Sequence, residues 1–336
     1  MKPIEGYYFR IYDNTIFYVK GVIQPQDKVV GYPKYVPSPI GDRIDNRGIR
    51  YYKEPSITEE IRLVEEKYRK YLVYDPYIGN LVPEIPYKDI EFIYNPIEKA
   101  LQVMNTKPKN KVLEDTRHML IDLKNSANVK NIGISGSILV NLYRDSSDID
   151  IVVYGEKEGL SVYDYLKEVI DKETSPYRRY SKEDIIRLYE FRKRETPIKF
   201  NELVQHAKRR VLEGYFGKRE YFIRLVKTPL PDEDYGKVVY KKIGKATMKF
   251  KVVDAREAIF TPCKYVVEVL EHIEGVKIGV DEIYSIRGRF NELAFEDEIV
   301  IARGTVERLE YANGDIKYRL YLGDPGDYMT NISLAK

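Results

Sequence analysis

Asp148 and Asp150 sit two apart in the apolar run Asp148-Ile149-Asp150-Ile151-Val152-Val153-Tyr154. On an extended strand alternate side chains share a side, so the two carboxylates face one way while Ile149 and Ile151 point into a core. Two carboxylates so placed can share divalent cations, which prefer hard oxygen ligands. Upstream, Ile132-Gly133-Ile134-Ser135-Gly136-Ser137-Ile138 reads as a strand feeding a Gly-Ser turn that opens a short helix. Gly136 has no side chain, so backbone amides can approach a phosphate closely, while the Ser137 hydroxyl and the positive helix end can hold its oxygens. Each half is common by itself: Gly-Ser turns abound, and a D-x-D pair is often merely solvated. Together they predict a phosphate cradle beside a metal-binding carboxylate pair.

Strand, Gly-Ser, short helix, then D-x-D in an apolar strand, with ten residues between Ser137 and Asp148, resembles the signature of the DNA polymerase beta-type nucleotidyltransferase superfamily. That superfamily includes CCA-adding enzymes, poly(A) polymerases and antibiotic nucleotidyltransferases. More broadly, the chain resembles an uncharacterised group of archaeal predicted nucleotidyltransferases in which such a core lies between two β-rich regions. Only about 126–228 resembles the superfamily core. The resemblance implies that Gly136 and Ser137 contact a nucleoside triphosphate (NTP) and that Asp148 and Asp150 coordinate Mg²⁺ or Mn²⁺. It also implies in-line attack by a hydroxyl on the α-phosphate with release of pyrophosphate. A third carboxylate is expected on a neighbouring strand, but Tyr221-Phe222-Ile223-Arg224-Leu225 holds Phe222 in that slot. Glu220, on the same strand face, is the first candidate for the role and Asp254 the second. Two functions stay open: transfer of a nucleoside monophosphate to a hydroxyl acceptor, RNA included, or a non-catalytic nucleotide- or nucleic-acid-binding protein that retains the fold.

Charge sharpens the second question. Between Tyr177 and Lys227 there are 15 Lys and Arg against 7 Asp and Glu, whereas the whole chain carries only +3. Arg178 and Arg179, then Arg192, Lys193 and Arg194, then Lys208, Arg209 and Arg210 lie near predicted helix ends, where they could hold an RNA backbone or the triphosphate. Charge runs are more often solvated faces. Lys245, Lys249 and Lys251, on one face of a later strand, extend this track or simply protect a sheet surface.

The elements that must position these residues give an α+β reading: a nucleotidyltransferase core of mixed sheet and helices, flanked by an N-terminal β-rich region and a C-terminal small β-barrel or sandwich. The segments are 1–55 (β-rich), 56–125 (helical connection), 126–230 (core) and 231–336 (barrel-like). Tyr7–Tyr12, Thr15–Val19 and Val29–Tyr32 read as strands whose tyrosines serve packing rather than base stacking. Ser56-Ile57-Thr58-Glu59 is a capping box opening a helix through about Tyr71, and Asn95-Pro96 and Lys111–Ala127 continue the helical texture. After the core, helices are expected over Leu160–Lys172, Ser181–Arg194 and Asn201–Glu213. The run Lys245–Val253 alternates, and Asn313-Gly314 suits a hairpin turn between Glu298–Glu310 and Ile316–Leu322.

Composition narrows the classes. The 336 residues include a single cysteine, Cys263, and three scattered histidines, His118, His206 and His272, which excludes an intramolecular disulfide framework and makes carboxylates the natural metal ligands. Cys263 has no partner at a nucleophile's spacing and reads as a packed thiol; His206 reads as a surface histidine. No run approaches the ~20 apolar residues that span a bilayer, and Met1-Lys2-Pro3-Ile4-Glu5-Gly6 has no signal-peptide pattern, so the cytoplasm is the expected compartment. Abundant Lys, Arg and Glu beside Ile and Val suit a thermophile.

Overall fold

In the computed structural model, which describes residues 2–193, 197–230 and 233–334, α-helices and β-strands mix in several sheets. The chain divides into two compact units: Met1–Asp75, Asn80–Tyr165 and Phe216–Pro229 form one, and Pro76–Gly79, Leu166–Tyr215 and Leu230–Lys336 the other. The division passes through the expected core segment 126–230, whose middle groups with the C-terminal residues.

The first unit begins with β1 (Tyr8–Ile11), β2 (Ile16–Val19), β3 (Lys28–Pro37), β4 (Arg43–Ile44) and β5 (Arg50–Lys53), which pair in the order β4-β5-β3-β2-β1. Asn14 makes the first turn at φ 68°, a conformation asparagine tolerates. The aromatics pack: Phe9 stacks on Phe17 at 5.3 Å, and Tyr7, Ile11, Val19, Tyr68 and Tyr71 complete that core. Helix α1 (Ile57–Lys67) starts where the Ser56 hydroxyl accepts the Glu59 N–H, and it stops at Lys67, short of Tyr71. Residues 56–125 are not wholly helical, because β6 (Leu72–Asp75), β7 (Asn80–Pro86) and β8 (Ile90–Tyr94) intervene. Strand β8 lies beside β1, and β7 pairs with β3 through Val29↔Ile85. Pro83 and Pro86 mask β7 in the sequence, since proline removes a ladder donor. Helices α2 (Pro96–Asn105) and α3 (Lys111–Ser126) follow, capped by Asn95 and Asn110. Then come β9 (Ile132–Ile134), the single turn α4 (Gly136–Leu139) and β10 (Ile149–Tyr154).

Next along the chain are α5 (Glu156–Val169), β11 (Tyr177–Arg178), α6 (Lys182–Arg192), α7 (Phe200–Ala207), β12 (Glu213–Phe216) and β13 (Arg219–Val226). A capping box between Ser181 and Asp184 opens α6. Helix α7 ends at Ala207 rather than near Glu213. The Arg209 N–H turns back to the His206 carbonyl, and the Glu292 carboxylate accepts the Val211 and Leu212 N–H groups at 2.9 and 3.3 Å, drawing the chain out of the helix.

The C-terminal part comprises β14 (Val238–Asp254), β15 (Phe260–Thr261), β16 (Cys263–Gly275), β17 (Glu282–Ser285), β18 (Ile299–Tyr311), β19 (Ile316–Tyr321) and β20 (Tyr328–Asn331). Pairing runs β14-β16-β17-β19-β18 and returns to β14, a barrel-like ring with β20 beside β18. Ala246, Met248, Phe250 and Val252 line its interior, and Gly314 at φ 92° makes the β18–β19 turn. Among the described residues no helix is long and apolar enough to cross a membrane.

Candidate functional site

Strand β10 runs antiparallel to β9 (Ile151↔Ile134) and parallel to β13 (Asp150↔Phe222). Ile149, Ile151 and Val153 share one face and are at most 1% exposed, and their burial, worth roughly 1.5–3 kcal/mol each, fixes the strand and its parity. Asp150 is therefore held half-buried on the other face, its carbonyl accepting the Ser135 N–H at 2.8 Å. That bond ties the Gly-Ser turn to the carboxylate strand. Gly136 sits at φ 60° against Asp150, and a Cβ there would overlap the carboxylate, so glycine is demanded by both backbone and space. Ser137 is buried, and among the described residues its Oγ has no hydrogen-bond partner. A buried hydroxyl left unmatched costs about 1–3 kcal/mol and calls for an explanation. Helix α4 is only four residues, so a long helix dipole does not contribute; the hydroxyl and the tight turn remain.

Asp148 is exposed immediately before β10. Its loop is clamped by Arg219, which donates to the carbonyls of Asp145 and Ser147 at 2.7 and 2.8 Å and pairs with Asp115 of α3 at 3.0 Å. The Asp150 carboxyl is pushed up to about 7, first by burial and then by the Asp148 carboxylate, with Lys53 and Lys34 pulling the other way. The two acids thus act on each other electrostatically.

The lysines come from a region with no legible role in the sequence. The N-terminal sheet docks on the turn: Ile16, Tyr35 and Tyr51 share a buried cluster with Leu139, Val140 and Leu142. The Ser135 hydroxyl donates to the Gly6 carbonyl at 2.8 Å, Arg43 donates to the Leu142 carbonyl, and Arg144 pairs with Asp42 at 2.7 Å. Glu5 pairs with Arg224 of β13. Burial raises the Tyr8 and Tyr35 phenols, with Asp150 and Asp148 adding to the effect. The two adjacent tyrosines between cations in Arg50-Tyr51-Tyr52-Lys53 give no alternation and name no partner across the fold.

The third acid is a different matter. Continuing the Ile149↔Tyr221 register places Glu220 beside Asp148 and Phe222 beside Asp150. Among the described residues no three His, Cys, Asp or Glu side chains gather as a metal-binding group, so the cluster as built rests on two carboxylates. Asp254 belongs to the second unit and holds Arg256 at 2.8 Å. Cys263 is buried, which pushes its thiol up to about 12 and makes it a poor nucleophile. His206 is buried rather than at the surface, and burial, then Arg210, Arg209 and Arg192, lower it to about 3.

The basic clusters are largely consumed inside the second unit. Arg210, 3% exposed, and Arg192 both pair with Glu213, at 2.6 and 2.7 Å. Arg209 pairs with Glu298 at 2.9 Å, Arg179 with Asp171 at 3.0 Å and Lys193 with Glu190 at 2.7 Å. Arg178 is exposed over the Tyr215 ring, 3.7 Å from its centre, and Lys208 is exposed. Arg194 lies outside the described residues. The seven described residues do not build a continuous cationic surface, because most of them partner buried or neighbouring acids.

No family model matches the chain, and no solved structure matches it. Over 335 residues the chain is 27% identical to the uncharacterized protein MJ1086 of Methanocaldococcus jannaschii, a similarity that covers 96% of this chain and 94% of that archaeal protein.

Proposed function

We propose that the first unit carries a nucleotidyltransferase-type core and that the protein transfers a nucleoside monophosphate from an NTP to a hydroxyl acceptor, RNA among the acceptors. The observation that carries this reading is the buried Ser137 hydroxyl, without a hydrogen-bond partner among the described residues, next to a glycine crowded by the Asp150 side chain. An orphaned donor of that kind, next to two mutually repelling carboxylates, fits a phosphate held together with a divalent cation. Asp148 and Asp150 would hold Mg²⁺ or Mn²⁺, which when bound supplies charge neutralisation for the triphosphate. Ser137 donates to a phosphate oxygen, Gly136 leaves room for the Asp150 carboxylate beside the turn, and Arg219 keeps the Asp148 loop in place. The acceptor hydroxyl gives up its proton to solvent as its oxygen bonds to the α-phosphorus, the bond from that phosphorus to the α,β-bridging oxygen breaks, and pyrophosphate leaves.

A second reading, nucleotide binding without turnover, is favoured by one specific feature: Phe222 occupies the position paired with Asp150. The two readings separate in one experiment. The protein is incubated with each labelled NTP, Mg²⁺ or Mn²⁺, and total cellular RNA, beside an Asp148→Ala/Asp150→Ala control. Label transferred by the wild type and not by the control supports the enzyme; NTP bound with no label transferred supports the binder.

A further inference from the structure

We propose that Lys53, at the end of the N-terminal sheet, is a phosphate-contacting residue that grips the outer phosphates of the triphosphate, making that sheet a wall of the nucleotide site. The inference rests on the reading of Asp148, Asp150, Gly136 and Ser137 as a triphosphate site. Strands β3 and β5 pair Tyr35 with Lys53, so these two side chains share one face of the sheet. Tyr35 is fully buried on that face, against the Leu139, Val140 and Leu142 segment that follows the Gly-Ser turn. Lys53 therefore faces the same segment, and both aspartates act electrostatically on its ammonium.

What sets Lys53 apart is its lack of a mate. It is half-buried, yet among the described residues it makes no ion pair and no hydrogen bond, whereas its neighbour Lys34 is committed to Glu60 at 2.5 Å. Were Lys53 a counter-ion for Asp150, a direct pair would form, since an ammonium is a compact charge on a flexible stem. Instead the site presents the Ser137 Oγ, buried without a hydrogen-bond partner among the described residues, and the Lys53 ammonium, committed to no acid among them, together with a carboxylate pair. An anion with several oxygens satisfies both donors, and the carboxylates demand that it arrive with a cation. A magnesium-complexed polyphosphate has that composition, and a charge-assisted hydrogen bond from lysine to its tail is the strong kind.

The test uses inorganic tripolyphosphate with Mg²⁺, a probe independent of the base, titrated calorimetrically into the full chain. Lys53→Met should weaken binding about tenfold or more, Lys53→Arg should restore most of it, and both should melt near the wild type. Asp148→Asn/Asp150→Asn should abolish the Mg²⁺-dependent component. Unchanged affinity in Lys53→Met, with binding lost in the aspartate variant, overturns the role of Lys53 and leaves the site standing. Absence of binding by the wild type, with tripolyphosphate and with all four NTPs, removes the site itself. Should Lys53→Met not fold, acetylation of wild-type lysines read by mass spectrometry decides. Saturating magnesium tripolyphosphate should protect Lys53, and equal labelling with and without it overturns the proposal.

Discussion

Two regions of this molecule concentrate charge, and they treat it oppositely. In the second unit Arg192, Arg210, Glu213 and Glu292 are brought inside and matched: Glu213 takes both arginines, Arg210 also donates to the Asn291 carbonyl at 3.0 Å, and Glu292 caps two backbone amides. At the aspartate site of the first unit two acids act on each other electrostatically, and among the described residues the buried Ser137 hydroxyl has no hydrogen-bond partner and Lys53 makes no ion pair. Matched charge in a low-dielectric interior serves the fold, whereas unmatched charge costs stability and is retained where a ligand completes it. Residue type alone does not distinguish the two; partnership does.

The comparison breaks most visibly at Glu213. Glu213→Ala leaves Arg192 and Arg210 without their acid and should cost about 3–5 kcal/mol, read as a lower denaturant midpoint. A loss below about 1 kcal/mol would show that the arginine cluster is not matched in the way described.

Acid titration gives the next largest effect, and its sign can be worked out. His206 has a folded value of about 3, below its ordinary 6.5, so its contribution is complete above pH 6.5 and declines as pH falls toward 3. Glu292, raised by burial to about 7 from 4.5, does the reverse: its contribution is complete below pH 4.5 and is lost as pH rises through 7. Between pH 6.5 and 4.5 His206 opposes Glu292 and also Asp150, which burial likewise raises to about 7. His206→Leu should therefore make stability rise more steeply on acidification there than in the wild type, by up to roughly 1.4 kcal/mol per pH unit for one group. The same difference in melting temperature between pH 5 and 6.5 in variant and wild type would contradict this.

Smaller effects sharpen the other half. Asp150→Asn should raise the unfolding free energy of the unliganded chain by on the order of 1 kcal/mol, read as a higher melting temperature, because a neutral amide escapes both burial of charge and repulsion from Asp148. Ser137→Ala should be neutral or slightly stabilising without ligand, since no bond is lost, yet should weaken nucleotide affinity several-fold. A clear fall in unliganded stability would mean that the hydroxyl has a structural partner.

What could be read in advance was what is local. Gly136, Ser137, Asp148 and Asp150 lie within one short stretch, so strand parity and a turn sufficed to bring them together, and Ser56, Asn95 and Ser181 announced their helices through capping chemistry. The unread parts depend on residues far apart in the chain. The end of α7 is set by Glu292, and the lysines beside the aspartates arrive only when the N-terminal sheet docks through Tyr35 and Leu139. Likewise the cationic runs looked like surface because their acids, Glu213 and Glu298, lie on other elements or in other segments. Pattern gives periodicity, not partners.

On the function proposed above, Asp148, Asp150, Gly136 and Ser137 form a cation-dependent nucleotide site. Its most direct test is equilibrium titration of the full chain with each NTP, with and without Mg²⁺, beside a folded Asp148→Asn/Asp150→Asn variant. Saturable binding that requires Mg²⁺ and falls at least about tenfold in the variant is the predicted result. Binding of equal strength in both proteins, or no binding of any NTP to the wild type, would contradict it.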